Sequence, residues 1–193
     1  NLIEVLGITQ FAAVGSRVEI TTRHNRTLLA EAIGFRGEFT LLMPFADIAD
    51  VGVGCIAKLL ASQQEVYPHV SWKGRVLNAF GDPIDGKGPI LHGKNPYNLK
   101  SPPPPANLRQ RVQGKISLGV KSLDVFTSVC RGQRMGIFAG SGVGKSMLIA
   151  MLTRYATDNV KVIGLIGERG REVQEFIEDY LGPEGLSQAV IVV

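Results

Sequence analysis

The chain is poor in the residues that mark several function classes. Its 193 residues hold only two cysteines, Cys55 and Cys130, and three scattered histidines, His24, His69 and His92. No C-x-x-C or Cys/His grouping occurs, so a zinc site and a disulfide framework are both disfavoured and two reduced thiols are expected. No apolar run approaches the roughly 18 residues of a membrane span. Aromatic residues make up 7% of the chain, which leaves few platforms for stacking bases. The net charge of +4 is spread along the sequence. No basic run resembles a nucleic-acid arm, and a phosphate-binding protein carries some positive charge in any case.

Glycine, in contrast, is abundant and placed. Residues 139–146 read AGSGVGKS, a phosphate-binding loop. Backbone N–H groups of such a turn form a concave anion site, and the N-terminus of the following helix adds its positive dipole end. Ala139, Gly140, Ser141, Gly142, Val143, Gly144, Lys145, Ser146 and Met147 are the expected nucleotide-binding residues. Lys145 is assigned to the β- and γ-phosphates and the Ser146 hydroxyl to Mg²⁺. Ala139 stands where the pattern has its first glycine, a position that needs only a small residue. The flanks fit the motif: Arg134–Phe138 reads as a short buried strand, and apolar residues at 147, 148, 151, 152 and 155 have helical spacing.

Three segments are expected. Residues 1–72 contain five short aliphatic or β-branched runs separated by turn formers, which predicts a small N-terminal β-barrel or sandwich. Arg17–Thr21 alternates polar and apolar, as a half-buried strand does. An oligonucleotide-binding barrel is the sharper alternative, but Phe11, Phe35, Phe39, Phe45 and Tyr67 are not interleaved with basic residues. Residues 73–114 read as a strand running into a linker rich in proline and glycine. Its run Pro102–Pro105 favours polyproline II and reads as a stiff spacer. Residues 115–193 alternate strand and helix, an α/β pattern with a parallel sheet. A buried strand is expected at Val160–Ile166, an amphipathic helix at Glu172–Leu181 stopped by Gly182 and Pro183, and a strand at Ala189–Val193.

A second constellation, GERGRE at 167–172, follows the strand after the loop helix. Ligands of open parallel sheets bind outside the carboxyl ends of the strands. Glu168 is therefore the expected general base for an in-line water, Arg169 a charge-neutralising group, and Glu172 a holder of water on Mg²⁺. A solvated turn whose glutamates and arginines pair with one another is the alternative for this segment taken alone.

Together AGSGVGKS, IGLIGERGREVQEFIEDYLG and GRVLNAFGDPIDGKGP resemble the flagellar protein-export ATPases, also called flagellum-specific ATP synthases. These are grouped with the virulence type III secretion ATPases and the catalytic subunits of rotary ATP synthases. The resemblance extends over nearly the whole chain, including Phe35-Arg36-Gly37, Leu41 to Pro44 and Gly132-Gln133-Arg134. The Gly140-Ser141-Gly142 form is similar to the flagellar branch.

The resemblance implies an α/β fold with a RecA-like P-loop core after the β-barrel. It also implies hydrolysis of ATP with Mg²⁺, energising export of flagellar proteins. Implied partners are a hexameric homo-oligomer, export substrates with their chaperones, regulatory and stalk-like export proteins, and the export gate. No nucleic acid is implied. The implied location is cytoplasmic, peripheral to the inner membrane at the flagellar base. Family members carry a Walker-B aspartate, an adenine pocket, an arginine finger and a C-terminal helical domain beyond the last strand. The chain is accordingly expected to be a fragment, poorly active alone. Virulence export and an RNA-translocating ring are the alternative functions. A non-catalytic ring subunit is disfavoured because such subunits usually lack the glutamate at the position of Glu168.

Overall fold

A computed structural model describes residues 2–60, 65–140, 142–157 and 160–193. Ser141, one of the expected loop residues, lies outside them. The chain divides into two compact units, Asn1–Glu65 and Val66–Val193.

The first unit is built from alternation. In β2 (Arg17–Thr21) Val18 and Ile20 are buried while Arg17, Glu19 and Thr21 are only half-buried. β3 (Thr27–Arg36) and β4 (Phe39–Pro44) add Leu28, Ala30, Ala32 and Leu42 to the same core. With β1 (Ile3–Leu6) and β5 (Ile56–Leu59) they form one antiparallel sheet in the order β1-β4-β3-β2-β5. It is a curled half-barrel whose edges, β1 and β5, share no ladder among the described residues. Curling is helped by a bulge between Ala32 and Gly34, since an extra residue bends its strand.

β3 runs on through Gly34 and Phe35 to Arg36, and the connection is the two-residue turn Gly37–Glu38. Gly37 has φ 59°, a conformation that a tight hairpin demands and glycine adopts without strain. The fully buried Thr40 hydroxyl is satisfied by Thr9 Oγ1 at 3.0 Å.

The second unit is organised around a three-stranded parallel sheet, Lys161–Gly164, Ala189–Val192 and Arg75–Leu77, with Ala189–Val192 in the middle. One face is covered by Ala150, Phe176 and Leu181 packing on Val76 and Ile191. The other is covered by Trp72, with Leu77, Val190 and Ile90. The strand expected in the connector thus joins the parallel sheet of the α/β segment. The helical elements of this unit are α1 (Lys121–Phe126), α2 (Lys145–Tyr155), α3 (Gly170–Glu175), a π-helical turn at Phe176–Leu181, and α4 (Gly182–Ser187). The strands Gln113–Ile116 and Val129–Arg131 form a separate antiparallel pair. Cys55 and Cys130 are unbridged.

Three expectations change. Arg134–Phe138 is not a strand; Phe138 is 97% exposed, and the segment joins no sheet. Its composition suits an interior strand, but a strand exists only through a ladder partner, and none is present among the described residues. The strand expected at Val160–Ile166 is shorter, Lys161–Gly164, with Ile166 94% exposed. Gly182 and Pro183 redirect the helix rather than end helical structure. Gly182 leaves helical geometry at φ 64° and ψ 178°, and Pro183 opens α4, where a missing N–H is harmless.

The GDPIDGKGP segment is fastened to the sheet by one carboxylate. Asp85 accepts from Arg75 Nε at 2.7 Å and from a second guanidinium nitrogen at 2.8 Å. It also accepts from the backbone N–H groups of Val76 and Lys87. The two side chains keep only 11% and 7% exposure. These donors, the Arg75 guanidinium first, hold the Asp85 carboxyl far below the usual carboxylate range. A depressed folded-state pKa contributes stability above the unfolded value, near 4, and loses it as pH falls toward the folded value. Asp85→Asn is expected to lower the melting temperature at pH 7 by about 5 °C or more, because it leaves a desolvated arginine without its counter-charge. The gap to the parent should shrink below about pH 4. Thermal scans at pH 7 and pH 3 check both statements, and a gap that is equal at the two values would refute the linkage.

Candidate active site

The loop runs directly into the N-terminus of α2. Gly142 and Gly144 have φ 76° and 94°, which side chains other than glycine resist. A Cβ added at Gly140, Gly142 or Gly144 would meet no atom within 4 Å. The concavity is therefore open on the ligand side. α2 starts at Lys145, and among the described residues no side chain caps it, so its first amide N–H groups have no side-chain acceptor among those residues. An anion is the ligand such an end accepts. The helix is anchored farther along by buried Ala150 and Thr153, and Arg154 Nε donates to the Leu181 carbonyl at 2.8 Å.

The parallel strand Lys161–Gly164 delivers the second constellation to the same place. Leu165 N–H still donates to the Val192 carbonyl at 2.8 Å. The chain then turns at Gly167, φ 75°, and presents Glu168 just beyond the strand's carboxyl end. Arg169 is the N-terminal cap of α3, and Glu172 lies in its first turn.

A cleft of about 560 Å³ lies where these parts meet, within the ordinary range of small-molecule sites. Its walls include Gly140, Gly142, Val143, Gly144, Lys145, Ser146 and Met147 from the loop end, and Glu168 and Glu172 from the opposite side. An inner recess of about 130 Å³ is lined by Lys145, Ser146, Ile149, Leu165, Glu168, Glu172, Glu175, Phe176 and Tyr180. Ala139 and Arg169 do not line either space. The Arg169 guanidinium is turned to Glu172, 4.0 Å away, and is 73% exposed.

Two lining residues escape a reading of motifs, Glu175 and Tyr180. The Tyr180 hydroxyl donates to Glu175 Oε1 at 2.9 Å. That bond, with the nearby negative charge, raises the phenol's pKa above its ordinary value. Glu175 is detectable in principle, three positions after Glu172 on a helix. Tyr180 shares a face with Phe176 at helical spacing, but its bond to Glu175 five positions back is not foreseen, because the turn between them is π-helical.

The donor set suits a hard divalent cation. The Ser146 hydroxyl and the Glu168 and Glu172 carboxylates offer oxygen atoms, the ligand type such a cation takes. The arrangement brings the Lys145 ammonium, the Ser146 hydroxyl and two carboxylates to one cleft.

Comparison with known proteins agrees with this geometry. Residues 119–193 match the nucleotide-binding domain of the ATP synthase alpha/beta family. Along its whole length the chain is similar to the flagellum-specific ATP synthase of Caulobacter vibrioides, 55% identical over 192 residues and spanning 43% of that protein. The flagellum-specific ATP synthase of Bacillus subtilis is 42% identical over 168 residues, covering 87% of this chain and 38% of that protein. A solved structure of the assembled ATPase EscN with its central stalk EscO, from the type III secretion system of enteropathogenic E. coli, superposes with a TM-score of 0.83. It is 31% identical, and the match covers 100% of this chain and 45% of EscN. The chain therefore spans less than half the length of these relatives.

Proposed function

The chain belongs to the flagellum-specific ATP synthases of the ATP synthase alpha/beta family, and from that premise we propose that it is the phosphate-binding part of an ATPase that energises export of flagellar proteins. The observation that carries the reading is the meeting of Lys145, Ser146 and Glu168 in one cleft at the carboxyl end of a parallel strand. The 55% identity to a flagellar relative, against 31% to EscN, supports flagellar over virulence export. The finer architecture belongs to the same proposal. The half-barrel is part of a small barrel, the parallel sheet is part of a RecA-like core, and residues 134–138 find their ladder partner in the full-length protein.

In this mechanism the loop amides and Lys145 bind the β- and γ-phosphates of ATP. Glu168 orients the attacking water in line with the leaving group and takes its proton. Ser146, with Glu172 through water, would hold Mg²⁺, which when bound neutralises charge between the phosphates. Arg169 is the candidate for stabilising charge on the transferred phosphoryl group, and it must leave Glu172 to do so. Assembly into a hexameric ring completes the site. A stalk-like protein, export substrates with chaperones, regulatory export proteins and the export gate are the proposed partners, and the cytoplasmic side of the inner membrane at the flagellar base the proposed location. Among the described residues no helix is long and apolar enough to cross a membrane.

The test is ATP turnover by the full-length protein. Turnover should require Mg²⁺, rise per protomer as concentration drives assembly, and be indifferent to RNA. Salt-sensitive RNA binding with RNA-stimulated turnover would move the assignment to an RNA-translocating ring. Residues 1–193 alone should turn over little ATP, and full-rate hydrolysis by that polypeptide at low concentration would contradict the assembled site.

A further inference from the structure

Three carboxylates, Glu168, Glu172 and Glu175, line the recess that also holds Lys145, its only cationic lining residue among the described residues. Lys145 makes no ion pair with any described residue, which leaves it ready for phosphate. An acidic wall this close is a competitor, because each carboxylate can pair with Lys145 in place of the ligand. Two of the three are held elsewhere. Glu172 faces Arg169 at 4.0 Å, and Glu175 accepts the Tyr180 hydroxyl at 2.9 Å. Glu168, the group assigned to water, has no such partner among the described residues.

The Tyr180–Glu175 bond depends on an unusual turn. In an α-helix, residues five apart lie about 140° from each other around the axis, too far to touch. Phe176–Leu181 is π-helical, and the Gly182 N–H donates to the Ile177 carbonyl five residues back. The widened turn brings positions five apart nearly one above the other. The turn is fixed by burial of Phe176 and Leu181 at 4% and 0% exposure, and Arg154 closes its end.

We propose that Tyr180 is a positioning residue: through the π-helical turn it ties Glu175 to its own helix and so keeps Lys145 unpaired for the incoming phosphate. The proposal rests on the reading of the cleft as an ATP site. It acts on substrate binding, not on the attack of water.

The test uses full-length protein and three variants, Tyr180→Phe, Glu175→Gln and the double variant, with ATP titrations of turnover and a direct nucleotide-binding assay. Tyr180→Phe releases Glu175 toward Lys145. Its KM and nucleotide Kd should rise about tenfold, while kcat changes by no more than about twofold, the signature of lost ground-state binding. Removing the charge as well should restore both constants, so the double variant should match Glu175→Gln within about twofold. A double variant as weak in binding as Tyr180→Phe would show that the tyrosine merely supports the helix and would overturn the proposal, as would an unchanged KM in Tyr180→Phe. Parent protein that binds no nucleotide would instead defeat the ATP-site reading itself, and this proposal with it.

Discussion

Glu168→Gln in the full-length protein is expected to lower ATP turnover by about 100- to 10,000-fold while nucleotide binding stays within a few-fold of the parent. The range is that of a lost general base. Glutamine keeps the shape and still accepts a hydrogen bond, but it cannot take a proton from water. The phosphate end of the site, Gly140 to Ser146, is untouched by the change, so affinity should survive. Glu168 is reached through Gly167 just beyond the strand Lys161–Gly164 and borders both the outer cleft and the inner recess. Normal turnover with intact binding would remove Glu168 from the mechanism and leave Glu172 as the nearest carboxylate to examine.

Lys145→Ala is expected to act differently. It removes the single cation that lines the cleft among the described residues, and in the proposed mechanism that cation faces phosphate in both the bound and the reacting state. Nucleotide affinity and kcat/KM should therefore both fall, kcat/KM by about 100- to 1,000-fold, the scale of one preorganised electrostatic donor. Lys145 is the first residue of α2 and is exposed, so folding should be nearly unaffected and the melting temperature without nucleotide should stay close to that of the parent. Binding isotherms beside thermal scans separate the two variants: one loses turnover only, the other loses affinity as well. Parent-like affinity in Lys145→Ala would mean that the loop amides suffice to hold the phosphates.

What could be read in advance follows from what each signal depends on. The strands of the first unit were legible because one of their faces is buried and the other is not. That one-sidedness writes a period of two into Arg17–Thr21. The meeting of the loop end of α2 with Glu168 in one cleft was legible because a phosphate loop is written in particular residue types at fixed spacing. Arg134–Phe138 was misread because its apolar content reports burial, whereas strand formation depends on a partner elsewhere in the chain. Phe176, Ile177 and Tyr180 share one face at helical spacing, and they do pack on one core. What that spacing does not show is the bond from Tyr180 to Glu175 five positions back, because helical arithmetic assumes 3.6 residues per turn and this turn is π-helical. Arg169 pairs with Glu172 and lines neither space, which is the arrangement expected of this turn taken alone, an i,i+3 pair on the surface.

The strand Arg75–Leu77 has a consequence for biosynthesis. Its partner register begins at Val190, 115 positions later in the chain. At ribosomal rates of about 5–20 residues per second, roughly 6–23 s pass between synthesis of the two. Throughout that interval Val76 and Leu77, both buried in the finished sheet, have no strand to cover them. The Arg75–Asp85 clamp closes over only ten positions and is available almost at once. It can shape the segment locally while the nascent chain waits for its sheet.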